Sequence, residues 1–150
     1  MTDRDDRAYE EVTAYTLWRR DAAFMHQHVV DAYAVQTSAD GAKPIRRAQA
    51  LIGLYLHVEH GLTGREVQRV HKLLADQRPA WPTFPLPRER GGMTVRDVLA
   101  AEPGDGRDRA VEAWARTIWE SCRHLGPAIV EFLSSHGITP PRTSSDAAQG

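Results

Sequence analysis

Apolar positions recur along this chain at helical rather than strand spacing, and they crowd most closely between Asp21 and Gln36. There Phe24, Met25, Val29, Val30, Ala32, Tyr33, Ala34 and Val35 surround Gln27, His28 and Asp31. A helix that is apolar on every side belongs inside a fold, and the polar groups it carries must be satisfied there. The pattern therefore predicts a central helix, capped by Asp21.

The flanking segments are more ordinary. Arg7 to Arg20 reads as a helix with acids in its first turn and Trp18, Arg19 and Arg20 near its end, which suits the helix dipole. Thr37 to Lys43 is a loop, and Pro44 opens the next helix at the position where its missing N–H costs nothing. Ile45, Ala48, Leu51, Ile52, Tyr55, Leu56 and Val58 line that helix, and Gly61 is placed to end it. Thr63-Gly64-Arg65-Glu66 has capping-box spacing, with Leu62 and Val67 set to staple, so another helix runs to about Asp76.

Prolines 79, 82, 85 and 87 then force an extended path. Its aromatic residues, Trp81 and Phe84, either cover the core or form a lid over a pocket. Thr94 caps a short helix over 95–101, and Pro103-Gly104-Asp105-Gly106 interrupts it. From Asp108 to Ser134 one long amphipathic helix is expected, kinked before Pro127. No strand pattern, repeat or second core intervenes. The reading is an all-α, single-domain bundle of four to five main helices over residues 1–138, with a disordered tail over 139–150.

Composition narrows the function. The 150 residues are 41% hydrophobic, enough for one core without metal or disulfide support, so a metal here would serve chemistry rather than folding. A formal net charge of −1 disfavours a nucleic-acid partner. Cys122 is the only cysteine, which fits a reducing, cytoplasmic setting. The N-terminus lacks the apolar core of a signal peptide, and no stretch has transmembrane length, so membrane insertion is not expected.

The polar residues inside apolar arcs are His28, Asp31, Glu59 and His71. If the second and third helices form an antiparallel hairpin, counting residues from its ends puts His28 opposite Ile52, and counting from Gly61 puts His71 opposite Ile52 to Tyr55. Two imidazoles at one level, with Glu59 or Asp31, would bind a divalent ion such as Zn, Fe, Mn or Ni. Such a centre would support hydrolysis or metal-assisted oxygen chemistry on a small molecule, with Glu59 or Asp31 moving a proton and Tyr55 and Gln68 orienting substrate or water.

The competing reading is a metal-free core network in which His28 bonds Asp31 and Glu59 pairs with Arg46, Arg47 or Arg65. The protein would then be a non-catalytic interaction module or a homodimer. His57, His60 and His124 read as exposed, His26 as a packing residue, and His136 as a surface group after the last helix.

The segments His26-Gln27-His28-Val29-Val30-Asp31-Ala32-Tyr33, Gly53-Leu54-Tyr55-Leu56, Thr63-Gly64-Arg65-Glu66-Val67-Gln68 with His71, and Thr94-Val95-Arg96-Asp97-Val98 occur together. In this combination the chain resembles an uncharacterised bacterial family, catalogued as domain of unknown function 5946, over most of residues 9 to 133. The resemblance implies no established activity. It also implies that many members begin with a Cys-x-x-Cys segment. This chain has none, so a cysteine-dependent role does not carry over.

Overall fold

The computed structural model describes residues 2–140, and every described element is helical. In chain order these are α1 (Asp3–Arg19), α2 (His26–Thr37), α3 (Pro44–His60), α4 (Gly64–Asp76), α5 (Val95–Ala100) and α6 (Asp105–Cys122). A 3₁₀ turn (Arg123–Leu125) and α7 (Gly126–Ser135) follow. The tail expected to be disordered lies, from residue 141 on, outside the described residues. Among the described residues no helix is long and apolar enough to cross a membrane.

The architecture follows from α2. It packs against α1, α3, α4 and α6 at once, which is why its sequence has no polar face. Helix α3 lies beside it and also meets α4, α6 and α7. Trp114 and Trp119 of α6 are fully buried, and each indole N–H finds an acceptor, Trp114 on the Gln36 amide oxygen at 3.0 Å and Trp119 on Glu59 at 2.6 Å.

Several local expectations hold. Gly61 ends α3 in the left-handed region at φ 70°, with its N–H on the His57 carbonyl and the Leu62 N–H on that of Leu56. Thr63 and Glu66 form the reciprocal capping box, and Leu62 and Val67 are both buried beside it. The Asp97 carboxylate accepts the Thr94 N–H at 2.8 Å, at the start of α5. Phe84 is buried and Trp81 packs on Phe132, so the Pro-rich segment covers the core.

Others need correction. Helix α1 starts at Asp3, because Thr2 caps it through the Asp5 N–H. Helix α2 starts at His26 rather than Asp21: the Asp21 carboxylate is spent on the Met25 N–H, closing a turn in which Phe24 is left-handed at φ 58°. The long helix expected over 108–134 is two. The 3₁₀ turn after Cys122 breaks it, and Pro127 falls in the first turn of α7, where proline starts a helix instead of bending one. The end of α2 is secured by Arg90, whose guanidinium donates to the carbonyls of Val35 and Ser38.

Candidate functional site

The densest cluster of metal-ligating side chains among the described residues is His28 of α2, His57 of α3 and Glu112 of α6. One donor atom from each lies within 4.8 Å of the others. The His28 and His57 rings stack at 3.5 Å, and His57 Nε2 stands 2.8 Å from a Glu112 carboxylate oxygen. On its other side His57 Nδ1 is 2.8 Å from the Leu62 carbonyl. A carbonyl only accepts, so Nδ1 carries a proton, and a further proton lies between Nε2 and the carboxylate oxygen it faces.

The turn at Gly61 produces this arrangement, since it brings the Leu62 carbonyl back beside the last turn of α3 and fixes the imidazole from behind. His28 is 4% exposed, and its Nδ1 has no hydrogen-bond partner. Burial, reinforced by the neighbouring His57, pushes its pKa down to about 3, so His28 is neutral at physiological pH. Burial alone would raise Glu112, but its hydrogen bond and charge contact with His57, then His28 and Arg116, hold it below the ordinary value. The cluster thus combines a neutral imidazole, a carbonyl-anchored imidazole and an ionised carboxylate whose side chain is 46% exposed.

The residues singled out by sequence go to three separate places. His28 joins the cluster just described. Asp31 and His71 line a cavity of about 470 Å³ between α2 and α3, together with Gln27 and Gln49. Tyr55 and Glu59 line a shallow surface depression with Trp119 and Arg123. His71 Nε2 is engaged by the Gln49 carbonyl at 2.7 Å. Glu59 accepts from the Trp119 indole and from Arg123 at 3.1 Å, rather than from Arg46, Arg47 or Arg65. The Tyr55 hydroxyl meets His60 Nε2 at 2.8 Å. Gln68 is half-buried on α4, and no hydrogen bond joins it to any of these groups.

Register explains the separation. His28 meets α3 at His57, not at Ile52, and Asp31 meets it at Gly53, so the α2–α3 pairing is shifted by more than a turn from the count made through their loop. His71 meets α3 at Gln49. Residues 49 and 57 of one helix are about 12 Å apart at a rise of about 1.5 Å per residue, too far for both imidazoles to share an ion.

Asp31 does not bond His28. Its Oδ1 accepts from Gln27 at 3.0 Å, and Oδ2 has no partner. Burial pushes its pKa well above the ordinary carboxylate value and outweighs the Gln27 bond, which lowers it. The carboxyl group sits where a side chain on residue 53 would otherwise be, for a Cβ there would come within 1.9 Å of Oδ2.

Sequence reading missed His57, Glu112 and His60, all assigned to polar faces. That assignment treats α3 and α6 as helices with one buried stripe, whereas α3 is packed on several sides. The signal that could have found His57 is the Gly61 stop, which folds the chain back over the residue one turn earlier. Of the other histidines, His26 packs on Thr16 Oγ1 at 2.9 Å, His124 is exposed as expected, and His136 contacts the Phe132 carbonyl.

No curated protein and no solved structure matches the chain. A family model matches residues 6–123, a span that holds the cluster and the cavity alike. On that match the chain belongs to the family of unknown function DUF5946.

Proposed function

We propose that this protein is a divalent-metal-dependent enzyme acting on a small molecule, with His28, His57 and Glu112 as the protein ligands. The observation that carries the reading is the posture of His57. A ligating histidine typically donates its second ring N–H to a carbonyl or carboxylate, which fixes the tautomer and aims the other nitrogen at the ion. His57 does this on Leu62 while Nε2 faces Glu112.

Two imidazoles and one carboxylate suit Zn, Fe, Mn or Ni and leave coordination positions for water and substrate. Donor atoms on a tetrahedral ion with bonds of about 2.1 Å lie roughly 3.4 Å apart, so an ion here requires the 2.8 Å pair of His57 and Glu112 to open slightly and His28 to slide off its stack, all within the present 4.8 Å limit. A cation at this position supplies Lewis-acid assistance to hydrolysis or a redox centre for oxygen chemistry. The partly exposed Glu112 opens one side of the cluster to a small molecule. A cytoplasmic setting accords with the single buried thiol, Cys122.

Elemental analysis of the purified protein, followed by calorimetric titration of chelator-treated protein with Zn(II), tests the assignment. One equivalent is expected, lost in His57→Gln and in His28→Gln and retained in His71→Gln. Metal-free protein with no uptake, or uptake that His57→Gln leaves unchanged, would overturn it.

A second reading, a self-associating module without catalysis, is favoured by the end of α1, where Trp18 is 86% and Leu17 52% exposed. It expects a homodimer by light scattering that Trp18→Ala converts to monomer.

A further inference from the structure

The cavity between α2 and α3 carries positive charge that no ion pair among the described residues balances. Its volume of about 470 Å³ is in the range of small-ligand sites, and none of His28, His57 and Glu112 lines it. Its wall holds two arginines, Arg46 and Arg47, and one acid, Asp31. Arg47 is held by neutral acceptors alone, the Ser38 hydroxyl and the carbonyls of Ala39 and Phe84, and Arg46 makes no side-chain hydrogen bond or ion pair among the described residues. Asp31 offers no compensation. It is 3% exposed, its unpaired oxygen is pressed on Gly53 rather than turned to the cavity, and burial favours its uncharged form. Burial likewise favours the neutral form of His71. Two arginines facing one ligand-sized space without an ionised acid call for an anion.

The wall also has donors for the anion and apolar surface for what it is attached to. Arg46 is exposed, and the hydroxyl of the half-buried Tyr9 makes no hydrogen bond among the described residues and stays open to solvent. Burial raises the Tyr9 pKa and the Arg46 charge works against it, which places the two groups near each other. Stacking on Tyr33 at 3.9 Å holds the Tyr9 ring. Elsewhere the wall includes the small apolar side chains of Val30, Ala34, Ala39, Ala42 and Ala50.

We infer that this cavity binds a small monocarboxylate, its carboxylate on Arg46 and the Tyr9 hydroxyl and its short apolar body against the alanine and valine wall. A guanidinium meets a carboxylate with two parallel N–H donors, and the hydroxyl donates to a lone pair that this fork leaves free. A phosphate group, with more oxygens and more charge to satisfy, would find too few free donors here. The inference is independent of the metal assignment, since it uses none of the proposed ligands.

The test is titration of the full chain with hexanoate, acetate, hexylamine and inorganic phosphate, followed by amide chemical shifts. We expect saturable shifts with hexanoate, confined to residues 9, 30–34 and 39–50. Acetate, which lacks the apolar body, should bind at least about tenfold more weakly. Phosphate should bind more weakly than hexanoate, and hexylamine not detectably. Arg46→Ala, a surface change that breaks no side-chain hydrogen bond or ion pair, should weaken hexanoate at least about tenfold, and Tyr9→Phe, which keeps the ring stack, by a smaller factor. The hexanoate shifts should survive in His57→Gln, which tells a carboxylate in the cavity from one caught by a metal at the cluster. Hexylamine binding as well as hexanoate, phosphate binding more tightly, an Arg46→Ala variant that binds undiminished, shifts that vanish in His57→Gln, or no saturable shift with hexanoate would overturn the inference.

Discussion

His28 and Asp31 lie about one turn apart on α2, both are buried, and each has a polar atom without a partner, yet their surroundings treat them in opposite ways. His28 is set against a second imidazole and, beyond it, an ionised acid that reaches solvent. Asp31 is set against the bare Cα of Gly53 and the amide of Gln27, with a cavity beside it. One position keeps an imidazole neutral beside an acid, and the other keeps a carboxyl group away from solvent with its pKa raised. A single helix thus holds two unlike environments, because a difference of three residues turns the side chains toward different neighbours.

The largest effect that separates the two positions is the pH dependence of stability in metal-free protein. His28 stays neutral in the folded chain down to about pH 3, whereas an unfolded histidine takes up its proton near pH 6.5. Its contribution is thus intact above pH 6.5 and is lost as pH falls, by about 3 kcal/mol between pH 6.5 and pH 4. Urea denaturation at the two pH values should show this component in the native sequence and not in His28→Gln. Asp31 acts with the reverse sign: its folded pKa is raised, so its contribution is fullest below the unfolded value near 3.8 and declines as pH rises above it. Asp31→Asn should flatten that decline, and a steeper one would break the contrast.

Next in size is Gly53→Ala. In an ordinary helix this change stabilises, but here the added carbon meets the Asp31 carboxyl group, so a loss of about 1–3 kcal/mol is expected. Combining it with Asp31→Ala should return most of the loss, a coupling that thermal unfolding of the four proteins would measure. The smallest effect belongs to Glu59, which the sequence pointed to and the fold places outside both sites. Removing its exposed partner through Arg123→Ala should cost no more than about 1 kcal/mol and leave metal uptake unchanged.

Much of the fold was legible because its signals are local. Pro44, the Gly61 stop, the Thr63–Glu66 box and the all-round apolarity of residues 26–35 each need only a few neighbours to be understood. The buried status of His28 and Asp31 was legible for the same reason. The grouping of side chains was not, because it depends on register between helices, and a shift of more than a turn in α2 against α3 exchanges Ile52 for His57 opposite His28. Loop length cannot fix that register. The contact between Asp31 and Gly53 does, and a glycine in the middle of the apolar run over residues 50–56 was the visible hint of it. Likewise Pro127 was legible as a disturbance but not as a beginning, since the 3₁₀ turn that precedes it carries no proline or glycine of its own.

The vacancy at position 53 also ties the history of two helices together. Any relative that acquires a side chain there must first shrink the residue facing it, and any relative that keeps the acid is confined to glycine. Positions 31 and 53 are therefore expected to change in concert across the family, and a homologue pairing an acid with a bulky neighbour could not hold these two helices at their present distance.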